Sequence, residues 1–506
     1  MEWTWSTTIS LVTIIASMAL YFIARYFVKK YERYKKSPPG PWGLPVIGSL
    51  LTLNRENAIL KIQEYKKTYG KIFSMNVGNF RVAVINDYKL IHEAFKREEF
   101  LGRPDFESYV LRNGGFKNRG VLFSDGTQNW HEQRRFALRT LRDFGFGKRT
   151  MDGLLLQEVE ELVQYFKKEY IGKPVDLKHS FNRSVFNSVW YIISDRRFER
   201  TDPVFMKMIS LFTGHLDKVT LFNAGHYYLW PAKYNLIRRG LWKQAKIMHD
   251  TAKSFTKTVI KDHLDNYDEN VSKDFIDVYL HAHNKSPSTG SGFYGEEGLE
   301  NLNILLLDLI GAGTETTSTT LLWALLFMTK YPEVQKKLHE EIDLVLGKDR
   351  QPSRDDRLMM PYLEAFTNEV HRKSSIIPMS VYHKVLKDCD FGGYFFEKNT
   401  IVYANIYDAH HDKEFWGDPE VFRPERFLDS TGTKVVPKKA LMPFSTGKRI
   451  CLGETMARDS LFYFLCGLLQ SFTFELDPSS ASVDIDTPKP NFVKAPHNFK
   501  IIMSSR

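Results

Sequence analysis

The sequence predicts a mainly α-helical chain with a small β part, one large domain behind an N-terminal membrane-spanning helix. Three observations carry this. From Trp3 to Ala24 no residue is charged, and Leu11, Val12, Ile14, Ile15, Met18, Leu20, Phe22 and Ile23 dominate. Leu299–Thr329 reads as one very long apolar helix. The alternating stretches are few and short: Phe80–Ile85, Val381–Leu386 and Tyr394–Phe396. A hydrophobic fraction of 43% and an aromatic fraction of 14% exclude a mainly disordered chain. The 506 residues contain no internal repeat, and no strand leads into a GxGxxG or P-loop, so no nucleotide fold is expected.

In chain order, the first element is the anchor, residues 1–28. A helix rising about 1.5 Å per residue over Trp3–Ala24 spans a hydrocarbon core of roughly 30 Å. Glu2 precedes the apolar run and Arg25, Lys29, Lys30, Arg33, Lys35 and Lys36 follow it, the reverse of a cleaved signal. That asymmetry places the amino terminus in the lumen and the body in the cytosol. With Glu2 and Glu32 set against these six cations, residues 1–37 carry +4 of the net charge of +10, which marks a membrane surface rather than a nucleic-acid partner. Residues 29–46 form a basic, proline-rich spacer, ending in Ser37-Pro38-Pro39-Gly40-Pro41-Trp42-Gly43-Leu44-Pro45, stiff and non-helical because proline fixes φ. Residues 47–506 form the body. Within it Leu154–Lys167 reads as a helix with Asp152 as its N-cap, His283–Gly298 as a surface loop, and His410-His411 as a surface pair.

Three cysteines, Cys389, Cys451 and Cys466, are too few for a disulfide framework and fit a reducing compartment. Cys451 is set apart by its surroundings: Phe444-Ser445-Thr446-Gly447-Lys448-Arg449-Ile450-Cys451-Leu452-Gly453-Glu454. Gly447 and Gly453 permit tight turning and close approach of backbone to a ligand. A helix is expected over Leu452–Leu469, so Cys451 lies at its N-terminal end, where dipole and free amides favour a thiolate. Such a thiolate serves a metal or acts as a nucleophile.

This segment resembles the heme-binding loop of the cytochrome P-450 monooxygenases, with Phe, Gly, Arg, Cys and Gly at the family's spacing. The resemblance extends over nearly the whole chain, and it implies the cytochrome P-450 fold and heme b (iron protoporphyrin IX), with Cys451 as axial thiolate. It implies that Arg449 pairs with a heme propionate and that Phe444 covers the sulfur. In the long helix, Gly311-Ala312-Gly313-Thr314-Glu315-Thr316-Thr317 resembles the oxygen-activation segment, its small residues at Gly311, Ala312 and Gly313 admitting a flat cofactor and a small gas. Glu315 and Thr316 then match the acid–alcohol pair that delivers protons to dioxygen. Glu369-Val370-His371-Arg372 is an ExxR on one helix face, joined in the family to the arginine of a segment matched here by Pro424-Glu425-Arg426-Phe427. Trp130 and Arg134 match a WxxxR that holds a propionate. Arg103 and His383 sit where related microsomal enzymes contact propionates, although Tyr382 stands where proline is expected.

The resemblance implies insertion of one oxygen atom from O2 into a lipophilic substrate. Electrons come from NADPH through a membrane-bound NADPH-cytochrome reductase, with cytochrome b5 as a further partner, at the cytosolic face of the endoplasmic reticulum. Arg135, Lys438, Lys439 and Lys448 are the expected reductase contacts. Phe106, Val110, Phe123, Leu307, Ala312, Ile377 and Phe492 are the expected pocket lining. A heme-thiolate isomerase or dehydratase working without O2, or a heme sensor without turnover, stand as rivals; retention of Glu315 and Thr316 disfavours both.

Overall fold

The computed structural model describes residues 35–506 apart from 45–46, 54–57, 79, 146–149, 217–238, 287–289 and 487–491, together with scattered positions between 13 and 28. Most of the expected anchor, residues 1–28, therefore lies outside the described residues. The described positions there are helical, and Ile14, Met18, Leu20, Phe22 and Val28 are exposed. Among the described residues no helix is long and apolar enough to cross a membrane.

The body is built around one helix, Gly295–Lys330, here the central helix. Its sequence is apolar nearly all round, so it belongs in the interior rather than at a surface, and Leu302–Leu307 and Thr317–Thr329 are buried. It packs against the helices Asn182–Ser194, Arg239–Asp265, Pro361–Ser374 and Glu454–Ser471. Tyr331 ends it, and Pro332 opens the helix Pro332–Val345 at a first-turn position where no amide is missed.

The β part is small. β1 (Ile72–Val77), β2 (Phe80–Ile85), β3 (His383–Lys384) and β6 (Ile401–Ala404) form a sheet in the order β1-β2-β6-β3. The β2–β6 pairing is parallel and the other two are antiparallel. β4 (Cys389–Phe391) with β5 (Tyr394–Phe396), and β7 (Phe472–Leu476) with β8 (Ile501–Ser505), make two antiparallel pairs.

Several local expectations change in the folded chain. The strand expected over Val381–Leu386 narrows to His383–Lys384, because Tyr382 turns inward to stack on Tyr403 at 4.3 Å. Asp152 lies inside the first turn of Thr150–Glu169 rather than at its cap, and accepts from Arg354 at 2.9 Å. The loop after His283 is shorter than expected, since one helix runs to Asn284 and the central helix begins at Gly295. His410-His411 is not a surface pair. His410 is fully buried between Ser375 Oγ (2.9 Å) and the Met442 N–H (2.8 Å), and His411 stacks on Tyr407 at 4.0 Å. Burial holds both imidazoles well below their usual pKa.

The ExxR reading holds in space. Arg372 donates to Glu369 at 2.7 and 2.8 Å, and Arg426 Nε donates to Glu369 Oε1 at 3.1 Å. Glu369 and Arg372 are fully buried. Arg372 also reaches the His410 carbonyl, and Arg426 the Val421 and Asp418 carbonyls. A buried charge set of this kind persists because each member has partners on every side.

Candidate active site

The loop from Phe444 to Cys451 folds back against Phe95. The Lys448 N–H donates to Phe95 O at 3.0 Å, and the Cys451 N–H donates to Phe444 O at 2.9 Å. Gly447 has φ +74°, and a Cβ there would lie 2.1 Å from Phe95 O, so only glycine fits. Gly453 has another role. Its φ is −96°, a Cβ would meet nothing within 4 Å, and it caps the helix Glu454–Ser471. That helix begins two residues later than expected.

Cys451 is exposed by surface area, yet burial pushes its thiol up, against the Gly453 N–H and Arg134, which pull it down. The two observations agree if the sulfur faces an enclosed cleft inside the protein rather than bulk water. They also correct the expectation of a lowered thiol pKa: desolvation outweighs the amide and the arginine, so ionisation needs a cation at the sulfur.

A second opening lies midway along the central helix. Ala312 is exposed and Gly311, Gly313, Glu315 and Thr316 are partly exposed, although residues on both sides are buried. Thr316 Oγ1 donates to Ala312 O at 2.7 Å, and Thr314 and Thr320 make the same bond one turn back, at 2.8 Å each. Gly313 is small for a reason the sequence did not show, because a Cβ would press to 2.9 Å from Val189.

The cations converge. Thr127 caps the helix Gln128–Asp143, which carries Trp130 and Arg134. Arg449 lies over the Trp130 ring at 4.3 Å and donates to Leu101 O (2.7 Å) and Ser124 O (2.6 Å). Arg134 donates to Ile450 O at 2.5 Å. Arg103 donates to Leu122 O and Tyr382 O, at 2.9 Å each. Trp130 donates its own N–H to Val121 O at 3.0 Å. Burial, and then the neighbouring arginines, lower Arg449 well below the usual guanidinium value; burial lowers Arg103 to about 10. Asp125, the one carboxylate acting on both among the described residues, is already held by Lys384 at 3.0 Å. His383 donates through Nδ1 to Phe100 O at 2.6 Å, stacks on Phe95 at 3.7 Å, and stays neutral, pushed well down by burial and by Arg103 and Arg449. Buried guanidiniums satisfied only by carbonyls retain their charge, so the set accepts an anion. The donor set at this cleft, one sulfur and a group of uncompensated arginines, fits an iron porphyrin carrying two carboxylates.

Of the expected lining residues, Phe106 and Phe492 meet at Tyr382, with ring distances of 6.2 and 5.8 Å. Val110 and Phe123 share a small cavity with Tyr109, whose ring stacks on Phe123 at 3.9 Å. Leu307 packs instead with Ala252 and Ile304, and Ile377 lies on the main core. Sequence reasoning missed Asp308 and Arg112. Asp308 is buried, contacts Arg112 at 2.6 Å, and accepts from the Val121 and Leu122 amides at 2.7 and 2.9 Å. A carboxylate inside an apolar helix was the available signal, but its partner is 196 residues away in the chain. Among the expected reductase contacts, Arg135, Lys439 and Lys448 are exposed and Lys438 is half-exposed, while Lys448 is paired with Glu98.

A family model described as "Cytochrome P450" matches residues 38–503. The chain is 37% identical over 486 residues to "Cytochrome P450 2J3" of Rattus norvegicus, covering 93% of this chain and 92% of the relative. It is 36% identical to "Cytochrome P450 2B2" of Rattus norvegicus over 93% and 94% of the two chains. It is 33% identical to "Farnesoate epoxidase" of Bombyx mori over 98% and 99%.

Proposed function

This chain belongs to the cytochrome P450 family, and from that premise we propose that its Cys451 sulfur, Arg449, Arg134, Trp130, Arg103 and His383 hold heme b in the cleft described above. It is a heme-thiolate monooxygenase that inserts one oxygen atom from O2 into a lipophilic substrate, drawing electrons from NADPH through a reductase. The observation that carries the site assignment is the Cys451 sulfur, desolvated though open to a cleft, beside Arg449 and Arg103, on both of which Asp125 is the one carboxylate acting among the described residues. When bound, the heme supplies the activation of dioxygen; the protein supplies its setting.

The residues divide that work. Cys451 would supply the sulfur that holds the heme iron, and the Gly453 N–H would moderate its charge. Arg449, Arg134 and Arg103 would hold the propionates, Arg449 and Arg103 being locked in place by their carbonyl partners. Thr316 holds a hydroxyl at the open notch of the central helix and passes a proton from it; Glu315 stands next to it as the acid that restores that proton. Gly313 lets the helix seat against Val189 without displacing the notch. Phe106, Phe123 and Phe492 are linked through the rings of Tyr109 and Tyr382, and these aromatic faces suit a terpenoid, steroid, fatty acid or foreign compound.

Residues 1–28 anchor the chain in the endoplasmic reticulum membrane, residues 29–46 hold the body off the surface, and residues 47–506 work on the cytosolic side. Support for this is the uncharged run Trp3–Ala24 and the cations after it. Arg135, Lys438 and Lys439 offer exposed charge to the reductase and to cytochrome b5. Reduction of the purified protein under carbon monoxide tests the assignment. The red-shifted Soret band of sulfur-ligated heme is the expected result, with its loss in Cys451→His; a wild-type spectrum of the histidine type overturns it.

A further inference from the structure

His371 stands on the ExxR helix between Glu369 and Arg372, and nothing in the family reading assigns it a task. It is 3% exposed, and neither Nδ1 nor Nε2 has a hydrogen-bond partner among the described residues. Three residues on, and so on the same helix face, the Ser374 hydroxyl is fully buried and also unpartnered. The upper part of that face is satisfied: Arg458 donates to Glu364 at 3.4 Å and to Asn368 at 3.3 Å. An unmet buried donor or acceptor is costly, and phenylalanine or leucine at 371 would avoid that cost. A polar cluster kept in such a place is what a buried water requires, since each water takes about three hydrogen bonds from groups otherwise unsatisfied.

The cluster adjoins the sulfur loop. The His371 ring meets Phe444 edge-on, with centroids 5.3 Å apart at 70°. Arg458 lies over the Phe444 ring at 4.9 Å, and Arg458 is itself held by Glu454 at 3.0 Å. Phe444 O receives the Cys451 N–H. The side chain that covers the loop is thus gripped by an imidazole and a guanidinium. We propose that His371 and Ser374 hold a buried water behind Phe444, and that His371 is thereby a positioning residue for the Cys451 loop. This rests on Cys451 being the heme ligand. One nitrogen of the imidazole and the Ser374 hydroxyl order the water between them; the water in turn fixes the ring plane against Phe444, and Phe444 fixes the sulfur.

The test is a double-mutant cycle on the heme-loaded protein with His371→Phe and Ser374→Ala, read by heme reduction potential and by the stability of the carbon monoxide band of the sulfur-ligated form. His371→Phe keeps the edge contact and removes both nitrogens; Ser374→Ala removes one oxygen and leaves the fold. The expected result is that each single variant shifts the potential in the same direction and loses the sulfur-ligated band several-fold faster. The double variant then goes no further than the larger single effect, and His371→Gln restores most of the loss. Unchanged potentials in both single variants, or effects that simply add, overturn the proposal while leaving Cys451 as ligand. Absence of the sulfur-ligated band in the wild-type protein overturns the ligand assignment itself, and the water with it.

Discussion

Replacing Lys494 by methionine should stabilise the protein, and only below alkaline pH. Lys494 is 1% exposed. Its ammonium lies over the rings of Trp323 at 5.5 Å and Tyr407 at 5.3 Å, without a carboxylate in hydrogen-bonding range among the described residues. Lys373 opposes its charge, Asp486 and Asp484 favour it, and Asp486 is already taken by Lys373 at 2.8 Å. Burial dominates and lowers Lys494 from 10.5 to about 7. At about 1.36 kcal/mol per pH unit that difference is worth roughly 5 kcal/mol, an upper bound. Contacts with the two aromatic faces, about 1–2 kcal/mol, are lost in the variant, while the methionine fills a similar volume. A net gain of about 2–3 kcal/mol is expected near pH 6.5. The sign follows from proton binding. Between about pH 7 and 10.5 the unfolded chain holds the Lys494 proton and the folded chain does not, so wild-type stability rises with pH across that window and is flat below it. The variant lacks this slope. Urea unfolding of both proteins at about pH 6.5, 8 and 9.5 should show the difference shrinking steadily with pH. A variant less stable than wild type at the lowest pH, or a gap independent of pH, would refute the reasoning.

Gly447→Ala should abolish heme incorporation, because the residue has φ +74° and its new methyl would meet Phe95 O at 2.1 Å; bound heme per protein measures this, and normal loading counts against the loop geometry. Thr316→Ala should keep NADPH and O2 consumption but release peroxide, with product falling at least about tenfold; fully coupled turnover removes Thr316 from proton transfer. Asp308→Asn leaves the half-buried Arg112 without its counter-charge and weakens the clamp on the Val121 and Leu122 amides, a cost of about 3 kcal/mol. Weaker substrate binding and faster proteolysis within residues 103–126 are expected, and wild-type values for both would contradict it.

Much of the candidate site was legible because the chemistry proposed for it depends on local spacing. The Phe444–Gly453 segment, the Gly311–Thr317 notch and the ExxR pair each lie within a dozen residues, where chain geometry restricts what side chains can share. Gly447 carries its own evidence, since a left-handed turn selects glycine whatever surrounds it. The thiol pKa was misjudged because helix dipole and neighbouring arginine are visible in sequence while desolvation is not.

The sequence alone determined the family, the long buried helix and the cysteine proposed as heme ligand, because periodicity and short motifs are properties of neighbours along the chain. Tertiary structure decided the rest. It turned His410-His411 inward, matched Asp308 to Arg112, brought Arg103, Arg134 and Arg449 around one space, buried His371 and Ser374 without hydrogen-bond partners among the described residues, and buried Lys494 against Trp323 and Tyr407. Charge compensation and burial depend on distances between residues far apart in the chain, and only the packed molecule sets those distances.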